Sequence, residues 1–325
     1  MKPFSFCSEM VELSRIDINF TPFSFSYGFE LDQITGSIQK VGLINRPIIK
    51  REQDRFIIVT GLKRILALKR LGWDKVEGHV IKQDIPPLEC LLISLYDNIT
   101  TRNFNHVEKA IILSRLSEYL PLEQIIQEYM PLLGLSKHRP ILDMYLWIDR
   151  GVGDDLKMLI VREKLSIKAL RLLFEWNIRE EDLKIYAYIL NNLKLSFNQQ
   201  IQFIEYSYDI CREKHIGLRQ FLEASGINDV IENASLSSHD KIKRVMDILR
   251  QKRFPKLYNA ERKFYEKVKK IGLPMGVSIS ARLYFEAPHY KMLISFRDGK
   301  ELRSKIAKLT GIKELEEIRD PWQEQ

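Results

Sequence analysis

The chain has 325 residues, with 51 Lys or Arg against 43 Asp or Glu, which gives a formal net charge of +8 and a pI near 9.2. This balance favours a polyanionic partner, and 45% hydrophobic residues are enough for about two or three domains with cores of their own. No apolar run reaches the length of a membrane span, and residues 1–10 lack the apolar stretch of a signal peptide. We therefore expect a cytoplasmic protein without membrane contact.

Cysteine usage also favours a cytoplasmic protein. Cys7, Cys90 and Cys211 are scattered along the chain and form no CxxC pair. An odd number of separated cysteines agrees with a reducing compartment and disfavours both thiol chemistry and a zinc site. We expect all three to be buried, reduced packing residues.

The first recognisable elements lie between residues 31 and 71. An amphipathic helix is predicted over residues 31–41, and two β-branched runs, 48–49 and 56–59, predict a hairpin. Gly61 breaks the second strand, and a helical apolar period resumes over residues 62–71. A glycine turn is thus expected to open a basic helix.

This turn is a candidate phosphate site. The free N–H groups and the positive dipole end of a helix N-terminus attract anions, and Gly61 lets a ligand approach the backbone. Lys63 and Arg64 would add full charges. An ordinary strand-to-helix turn with solvated basic side chains gives the same pattern, so the turn by itself leaves both interpretations open.

The order of elements around the turn resembles the N-terminal domain of the ParB family, the centromere-binding partition proteins. In that family a helix and a Gly-Leu…Pro segment lead into two strands, a GERR-type turn, an ENxxR-type segment and a helix with an acidic residue and alanine. The matching positions here are Gly42, Leu43, Pro47, Gly61, Arg64, Asn98, Arg102, Glu108 and Ala110.

The resemblance implies that the domain binds CTP with Mg²⁺. It places the nucleotide at Gly42, Gly61, Lys63, Arg64, Asn98 and Arg102, and the metal at Asp97 and Asn98. Four departures matter. Leu62 and Asp97 stand where the family has glutamate, Lys63 stands where it has arginine, and the pair Thr100-Thr101 changes the spacing before Arg102. We expect nucleotide binding with at most weak CTP hydrolysis, and assign no catalytic residue.

Other functions fit the same fold core, which also resembles sulfiredoxin and a free-serine kinase. Sulfiredoxin needs a cysteine where Leu62 stands. A small-molecule kinase with Glu30 or Asp32 as base, and a nuclease using Asp97 and Glu108, remain open. So does a ParB-like transcriptional or plasmid-maintenance regulator without nucleotide binding.

A helical region is predicted next, over residues 105–224. Within it, residues 121–148 predict a helix, a turn containing Gly134 and a second helix, which is the outline of a helix-turn-helix. A plain helical hairpin with a basic turn gives the same pattern, but a position after a ParB-like domain favours DNA reading.

The start of the second helix carries the predicted DNA contacts. Ser136 is expected to cap this helix, which places Lys137, His138 and Arg139 in the first turn, where such a helix meets the major groove. Residues 154–176 resemble the next two helices of the family, and Lys168 there is a candidate phosphate contact.

The last third of the chain is expected to begin with a linker at 225–240, rich in Ser, Asn and Gly. Residues 241–273 then hold twelve Lys or Arg against three Asp or Glu, a balance of 12 − 3 = +9. Such density favours contact with DNA phosphates that is not sequence-specific. The predicted contacts are Lys252, Arg253, Lys269 and Lys270.

Two alternating apolar stretches follow, at residues 277–285 and 292–296, with a turn at 287–289 and a helix at 300–309. A lone two-stranded hairpin leaves its edges open, which favours pairing with a second copy. The resemblance also implies a homodimer, because ParB C-terminal domains are dimerisation modules.

Together these patterns predict an α+β protein. The expected domains are a ParB/sulfiredoxin-like domain at 1–104, an all-α helix-turn-helix domain at 105–224, the linker at 225–240, and a helix-strand-strand-helix dimerisation domain at 241–325. The predicted function is sequence-specific binding of double-stranded DNA in chromosome or plasmid partition, by a CTP-gated clamp on the nucleoid or on a plasmid. A partition ATPase is a further partner that the resemblance implies.

Overall fold

The computed structural model describes residues 6–82, 84–281 and 289–318. The chain forms two compact units, Met1–Ile204 and Glu205–Gln325. The architecture mixes helices and strands, in agreement with the predicted α+β class. No helix in the described ranges is long and apolar enough to cross a membrane.

Unit 1 begins with a five-stranded sheet in the order β1-β5-β3-β4-β2. The strands are β1 (Cys7–Glu12), β2 (Ile16–Asp17), β3 (Ile48–Glu52), β4 (Arg55–Thr60) and β5 (Lys75–Ile81). β1 pairs with β5 and β3 with β4 in antiparallel fashion, while the pairs β2–β4 and β3–β5 are parallel. The predicted hairpin is confirmed as β3–β4.

Helices cover both faces of this sheet. α1 (Asp32–Val41) and α2 (Leu62–Arg70) close a core in which Ile38 and Ile65 pack with the sheet residues Ile49 and Ile58. The intervening residues of β4, Ile57 and Val59, are also buried, and α3 (Pro87–Ile99) packs against this strand. β4 is therefore central, which fixes the position of the turn that follows it.

The rest of unit 1 is helical. Its helices are α4 (His106–Leu116), α5 (Leu122–Gln124), a π-helical turn (Ile125–Tyr129), α6 (Met130–Leu132), α7 (Arg139–Gly151), α8 (Asp154–Val161), α9 (Ile167–Glu175), α10 (Glu180–Asn192) and the start of α11 (Phe197–Lys214). α4 packs most extensively against α7 and also contacts the π-helical turn and α8. The predicted outline of helix, turn and helix is confirmed.

One detail of that outline was wrong. α7 begins at Arg139, its N-cap is His138, and no side chain caps it. Ser136 stands two residues too early to cap the helix, and its carbonyl instead accepts a hydrogen bond from His138 N at 2.8 Å. The physical reason is Pro140, because proline is favoured at the first helical positions and sets the start of the helix beside itself. Lys137 therefore precedes α7.

Unit 2 contains the remaining elements. After the end of α11 come α12 (Leu218–Ala224), α13 (Ile227–Glu232), α14 (Ser238–Arg253), α15 (Pro255–Ile271), β6 (Val277–Ala281), β7 (Tyr290–Ile294) and α16 (Gly299–Thr310). The order helix, strand, strand, helix agrees with the prediction, and β6 pairs with β7 in antiparallel fashion. The expected strand positions Leu283 and Phe285, and Ala287 of the expected turn, lie outside the described residues.

Two expectations differ from the structure. The stretch 225–240 contains the helix α13, with Ile227 and Ile231 buried, rather than an extended linker. Its polar composition serves caps and turns, since the Ser237 hydroxyl accepts a hydrogen bond from Asp240 N at the start of α14. Among the cysteines Cys90 is buried and Cys211 partly buried, but Cys7 is exposed, so the expectation of three buried thiols was wrong.

Candidate functional site

A cleft of about 190 Å³ opens where β4 ends and α2 begins. Its walls come from the turn at Gly61, from the end of α3 and from the irregular segment before α1. The lining residues are Ser24, Phe25, Ser26, Ile34, Thr60, Gly61, Leu62, Lys63, Arg64, Ser94, Asn98, Thr101 and Arg102. Most of them carry polar or cationic side chains.

Gly61 has a backbone conformation and a neighbour that exclude any other residue without strain. Its φ is +98°, and a Cβ placed on it would lie 2.9 Å from Cβ of Pro47. Gly61 is also the N-cap of α2, and no side chain caps that helix end. The first-turn N–H groups of a helix lack intrahelical acceptors, so this end of α2 is suited to an anion.

Two cations follow Gly61. Arg64 donates from Nη1 to the carbonyls of Asn45 and Arg46, at 3.1 and 3.0 Å, which fixes its guanidinium beside the cleft. Lys63 Nζ lies 4.9 Å from the centre of the Phe29 ring. Burial lowers the pKa of both groups, and the charge of Arg102 lowers the pKa of Lys63 further. A bound anion would offset the free-energy cost of burying these two positive charges.

Arg102 reaches the cleft from the other side and is held by three partners. Its Nε donates to Asn98 Oδ1 at 3.0 Å, and its Nη1 donates to Glu108 Oε1 at 2.7 Å. Glu108 is 2% exposed and forms a capping box with Asn105 at the start of α4. The sequence signature of that box, Asn-x-x-Glu, is the local signal that marks this support.

A second polar network holds the residues predicted to bind metal. Thr60 Oγ1 donates to Asp97 Oδ2 at 2.6 Å, and Asn98 Nδ2 donates to Ser94 O at 2.8 Å. Arg64 Nη2 lies 3.8 Å from the same Asp97 oxygen. In the described part of the chain no group of three or more His, Cys, Asp or Glu could hold a metal ion. The residues fit an anion, with Asp97 as one carboxylate available to a cation that arrives with it.

The structure brings together five of the six residues predicted to bind nucleotide. Gly61, Lys63, Arg64, Asn98 and Arg102 all line the cleft. Gly42 does not line it, because it ends α1 with a φ of 78° and serves as the C-cap of that helix. Thr60, Ser24 and Ser26 line the cleft without having been predicted, and no spacing pattern in the sequence marks them.

The predicted DNA contacts of unit 1 lie on the surface. Ser136, Lys137 and His138 are exposed between α6 and α7, and so are Arg139 at the start of α7 and Lys168 on α9. Arg139 Nε pairs with Asp143 Oδ1 at 2.8 Å, one helical turn along α7. The turn thus presents a cluster of basic side chains to solvent.

In unit 2 the four predicted DNA contacts differ from one another. Lys252, Lys269 and Lys270 are exposed near the ends of α14 and α15. Arg253 instead forms an ion pair with Asp209, with 2.9 Å between Nε and Oδ2, and its guanidinium lies 5.0 Å from the Phe254 ring centre. Arg253 therefore has an ion-pair partner within unit 2.

Comparison with known proteins identifies relatives of this chain, although no protein-family model matches it. It is 25% identical over 259 residues to "Probable chromosome-partitioning protein ParB" of Campylobacter jejuni subsp. jejuni serotype O:2, a match that spans 74% of this chain and 88% of that protein. These relatives support a ParB-family protein. The chain is also 29% identical over 96 residues to a nucleoid occlusion protein of Bacillus cereus (strain B4264). That match spans 29% of this chain and 32% of that protein.

Solved structures of ParB proteins match more distantly. The C-terminally truncated ParB of Caulobacter crescentus complexed with CTP-gamma-S is 17% identical and aligns over 57% of this chain and 98% of that one, with a TM-score of 0.26. The complex of the same protein with the centromeric parS site aligns over 60% and 97%, with a TM-score of 0.34. These scores are low, so the support for a ParB-family protein comes from the sequence relatives.

Proposed function

We propose that this ParB-family chain is a nucleotide-responsive DNA-binding protein, which holds CTP in the cleft beside Gly61 and reads duplex DNA with the turn before α7. One observation carries the proposal. Gly61–Arg64 and Asn98–Arg102 are separate in sequence, yet side chains of both segments line a single cleft at the uncapped end of α2.

The charges of the cleft suit a polyphosphate. Lys63, Arg64 and Arg102 supply three positive charges against two from Asp97 and Glu108, a balance of 3 − 2 = +1. Backbone N–H groups of α2 would add hydrogen bonds to phosphate oxygens. Mg²⁺ binds proteins through one or two carboxylates together with substrate phosphates, and Asp97 and Asn98 would hold it here. Leu62 offers no acid or base, so we propose binding without efficient hydrolysis.

The DNA part of the proposal rests on the helix-turn-helix. The second helix of this motif presents its first residues to the major groove. Arg139 begins α7, Lys137 and His138 directly precede it, and all three side chains are exposed. The name of the Campylobacter relative, a probable chromosome-partitioning protein, supports a role in chromosome partition. Plasmid partition, association with the nucleoid or a plasmid, and a partition ATPase as partner extend the proposal beyond that name.

We also propose that unit 2 forms a homodimer. Met292, Leu293 and Phe296, in and just after β7, are 44%, 64% and 51% exposed, although each side chain is large and apolar. A second copy would cover this surface and would satisfy the open edges of a two-stranded sheet. Lys252, Lys269 and Lys270 would then add phosphate contacts without sequence preference.

Calorimetry with CTP and Mg²⁺ tests the nucleotide site. Lys63→Ala removes one charged partner of phosphate, and the loss of such a hydrogen bond weakens binding by about tenfold or more. Lys40→Ala is the matched control, because Lys40 is an exposed lysine of α1 outside the cleft. Absence of any binding heat in the wild-type protein would favour the regulator that lacks nucleotide binding.

Mobility-shift titrations on genomic fragments test the DNA site. Lys137→Ala is expected to weaken binding and to lower the slope of log Kd against log salt by about one. Lys194→Ala, an exposed lysine in the same unit, is the control. Equal affinity for all fragments at physiological salt would refute sequence-specific binding.

A further inference from the structure

A second cleft, of about 290 Å³, lies beside the first turn of α7. His138, Pro140, Ile141 and Met144 form the α7 wall, and the opposite wall comes from α9. The cleft therefore shares residues with the turn that we propose reads DNA.

The floor of this cleft is apolar and firmly held. Ile141, Met144 and Phe174 form it, and Met144 is 6% exposed. The ring of Trp147 packs behind Phe174, with 5.5 Å between centroids. Trp147 lies so close to Gly151 that a Cβ there would be 2.7 Å from its Cδ1 atom, which limits movement of the indole.

Basic residues lie in or next to both walls of this cleft. Lys137 and Arg139 adjoin the α7 wall in sequence, and Arg171 lines the α9 wall. Lys168 stands about one turn before Arg171 on the same helix. Two acids oppose these four cations, since Arg139 pairs with Asp143 at 2.8 Å and Arg171 with Glu175 at 2.6 Å. The balance of 4 − 2 = +2 attracts a polyanion to this side of the unit.

We propose that the cleft receives the 5-methyl group of a thymine when α7 enters the major groove. The base edges in that groove present hydrogen-bond donors and acceptors, and the thymine methyl is their one apolar substituent. A donor or acceptor against Ile141, Met144 and Phe174 would lose water without gaining a partner, which is penalised. The inference rests on the proposed DNA reading by α7, and it adds a preference for thymine at one position.

Replacement of thymine by deoxyuridine tests the inference, because it removes the methyl group alone. A duplex is first selected from a random library with the full-length protein, and each thymine is then replaced singly. One thymine per half-site is expected to lose about fourfold in affinity, which corresponds to ~0.8 kcal/mol for one buried carbon. The other thymines are expected to change by less than about twofold.

A protein variant locates the methyl. In Ile141→Ala the same replacement is expected to have almost no effect, because the side chain that contacts the methyl is already missing. Ile167→Ala is the matched control, since Ile167 is an apolar residue of α9 that is 41% exposed and lies outside the cleft. This control is expected to keep the fourfold loss.

Three outcomes would overturn the inference. If no replacement costs the wild-type protein more than about twofold, the cleft does not hold a thymine methyl, although DNA binding itself stands. If Ile141→Ala shows the same loss as wild type, the methyl lies elsewhere. If no duplex can be selected at all, the proposed reading of DNA fails as well. The wild-type series needs no variant, so an unstable Ile141→Ala leaves the test intact.

Discussion

Arg102 Nη1 donates to both carboxylate oxygens of Glu108, at 2.7 and 2.8 Å, and Glu108 is 2% exposed. The same carboxylate accepts hydrogen bonds from Asn105 N at 3.1 Å and from Tyr27 N at 3.4 Å. One buried acid thus joins three parts of unit 1: the cleft, the start of α4 and the irregular segment before α1.

Replacement of this acid should destabilise unit 1 strongly. Glu108→Ala removes the carboxylate partner of Arg102, whose side chain is only 24% exposed, and the glutamate half of the capping box of α4. The free energy of unfolding should therefore fall by about 3 kcal/mol. Glu108→Gln should cost less, because its amide oxygen still accepts from backbone N–H groups. Urea titrations followed by circular dichroism measure both, with the exposed Glu123→Ala as control; a loss for Glu108→Ala no larger than for this control would contradict the assignment.

Replacement by alanine should change the free energy of unfolding in opposite directions at two glycines. Gly61→Ala forces a side chain into a left-handed conformation 2.9 Å from Pro47 and should cost about 1–3 kcal/mol. Gly36→Ala, inside α1 with nothing within 4 Å, should stabilise by about 0.5–1 kcal/mol because alanine favours helix. Thermal unfolding of the two variants measures both changes. A Gly61→Ala variant that is more stable than wild type would contradict the left-handed conformation of Gly61.

His106 should make stability depend on pH. Its Nδ1 lies 2.6 Å from the Tyr145 hydroxyl, and burial lowers its pKa, an effect that Lys109 strengthens and Glu163 opposes. Below the ordinary histidine pKa of about 6.5 the unfolded chain binds more protons than the folded one. The free energy of unfolding should therefore decrease as pH falls below that value.

Denaturant titrations at several pH values test this. His106→Gln should flatten the pH dependence of the free energy of unfolding between about pH 7 and pH 5, because glutamine does not titrate. His239→Gln, an exposed histidine of α14, should leave the dependence unchanged. Equal slopes in wild type and His106→Gln would rule out a contribution from His106.

The thiols should differ in reactivity. Burial raises the pKa of the Cys90 thiol to about 11, an effect that the charge of Lys50 opposes, so little thiolate is present at neutral pH. Cys7 is exposed on the edge strand β1. Alkylation followed by mass spectrometry should label Cys7 long before Cys90 in the folded protein. Denaturation should remove the difference, and equal rates without denaturant would contradict the burial of Cys90.

Local patterns predicted most elements with strong periodicity. The hairpin β3–β4, the helix after Gly61 and the helix-strand-strand-helix order of unit 2 all follow from alternation or from the helical period. β1 and β2 were missed because they lack such a signal. In β1 only Val11 is buried, and β2 has two residues, so their strand character depends on pairing with distant strands.

The candidate cleft was predicted in part. Gly61, Lys63 and Arg64 are neighbours in sequence, so their grouping required no tertiary information. Ser24 and Ser26 required it, because the segment that carries them has no regular structure and reaches the cleft through contacts such as Arg115 Nη1 with Ser24 O at 2.6 Å. Residues placed by such contacts leave no trace in local spacing.

The sequence by itself determined the types and order of the main elements, the basic balance of charge and the glycine turn, because these depend on periodicity and composition. The tertiary structure decided which residues meet. It joined Thr60 to Asp97 across 37 positions at 2.6 Å, left Gly42 outside the cleft and moved the start of α7 to Arg139. The physical reason is that hydrogen bonds and caps depend on distances set by packing of the whole unit, whereas periodicity depends on a few neighbouring residues.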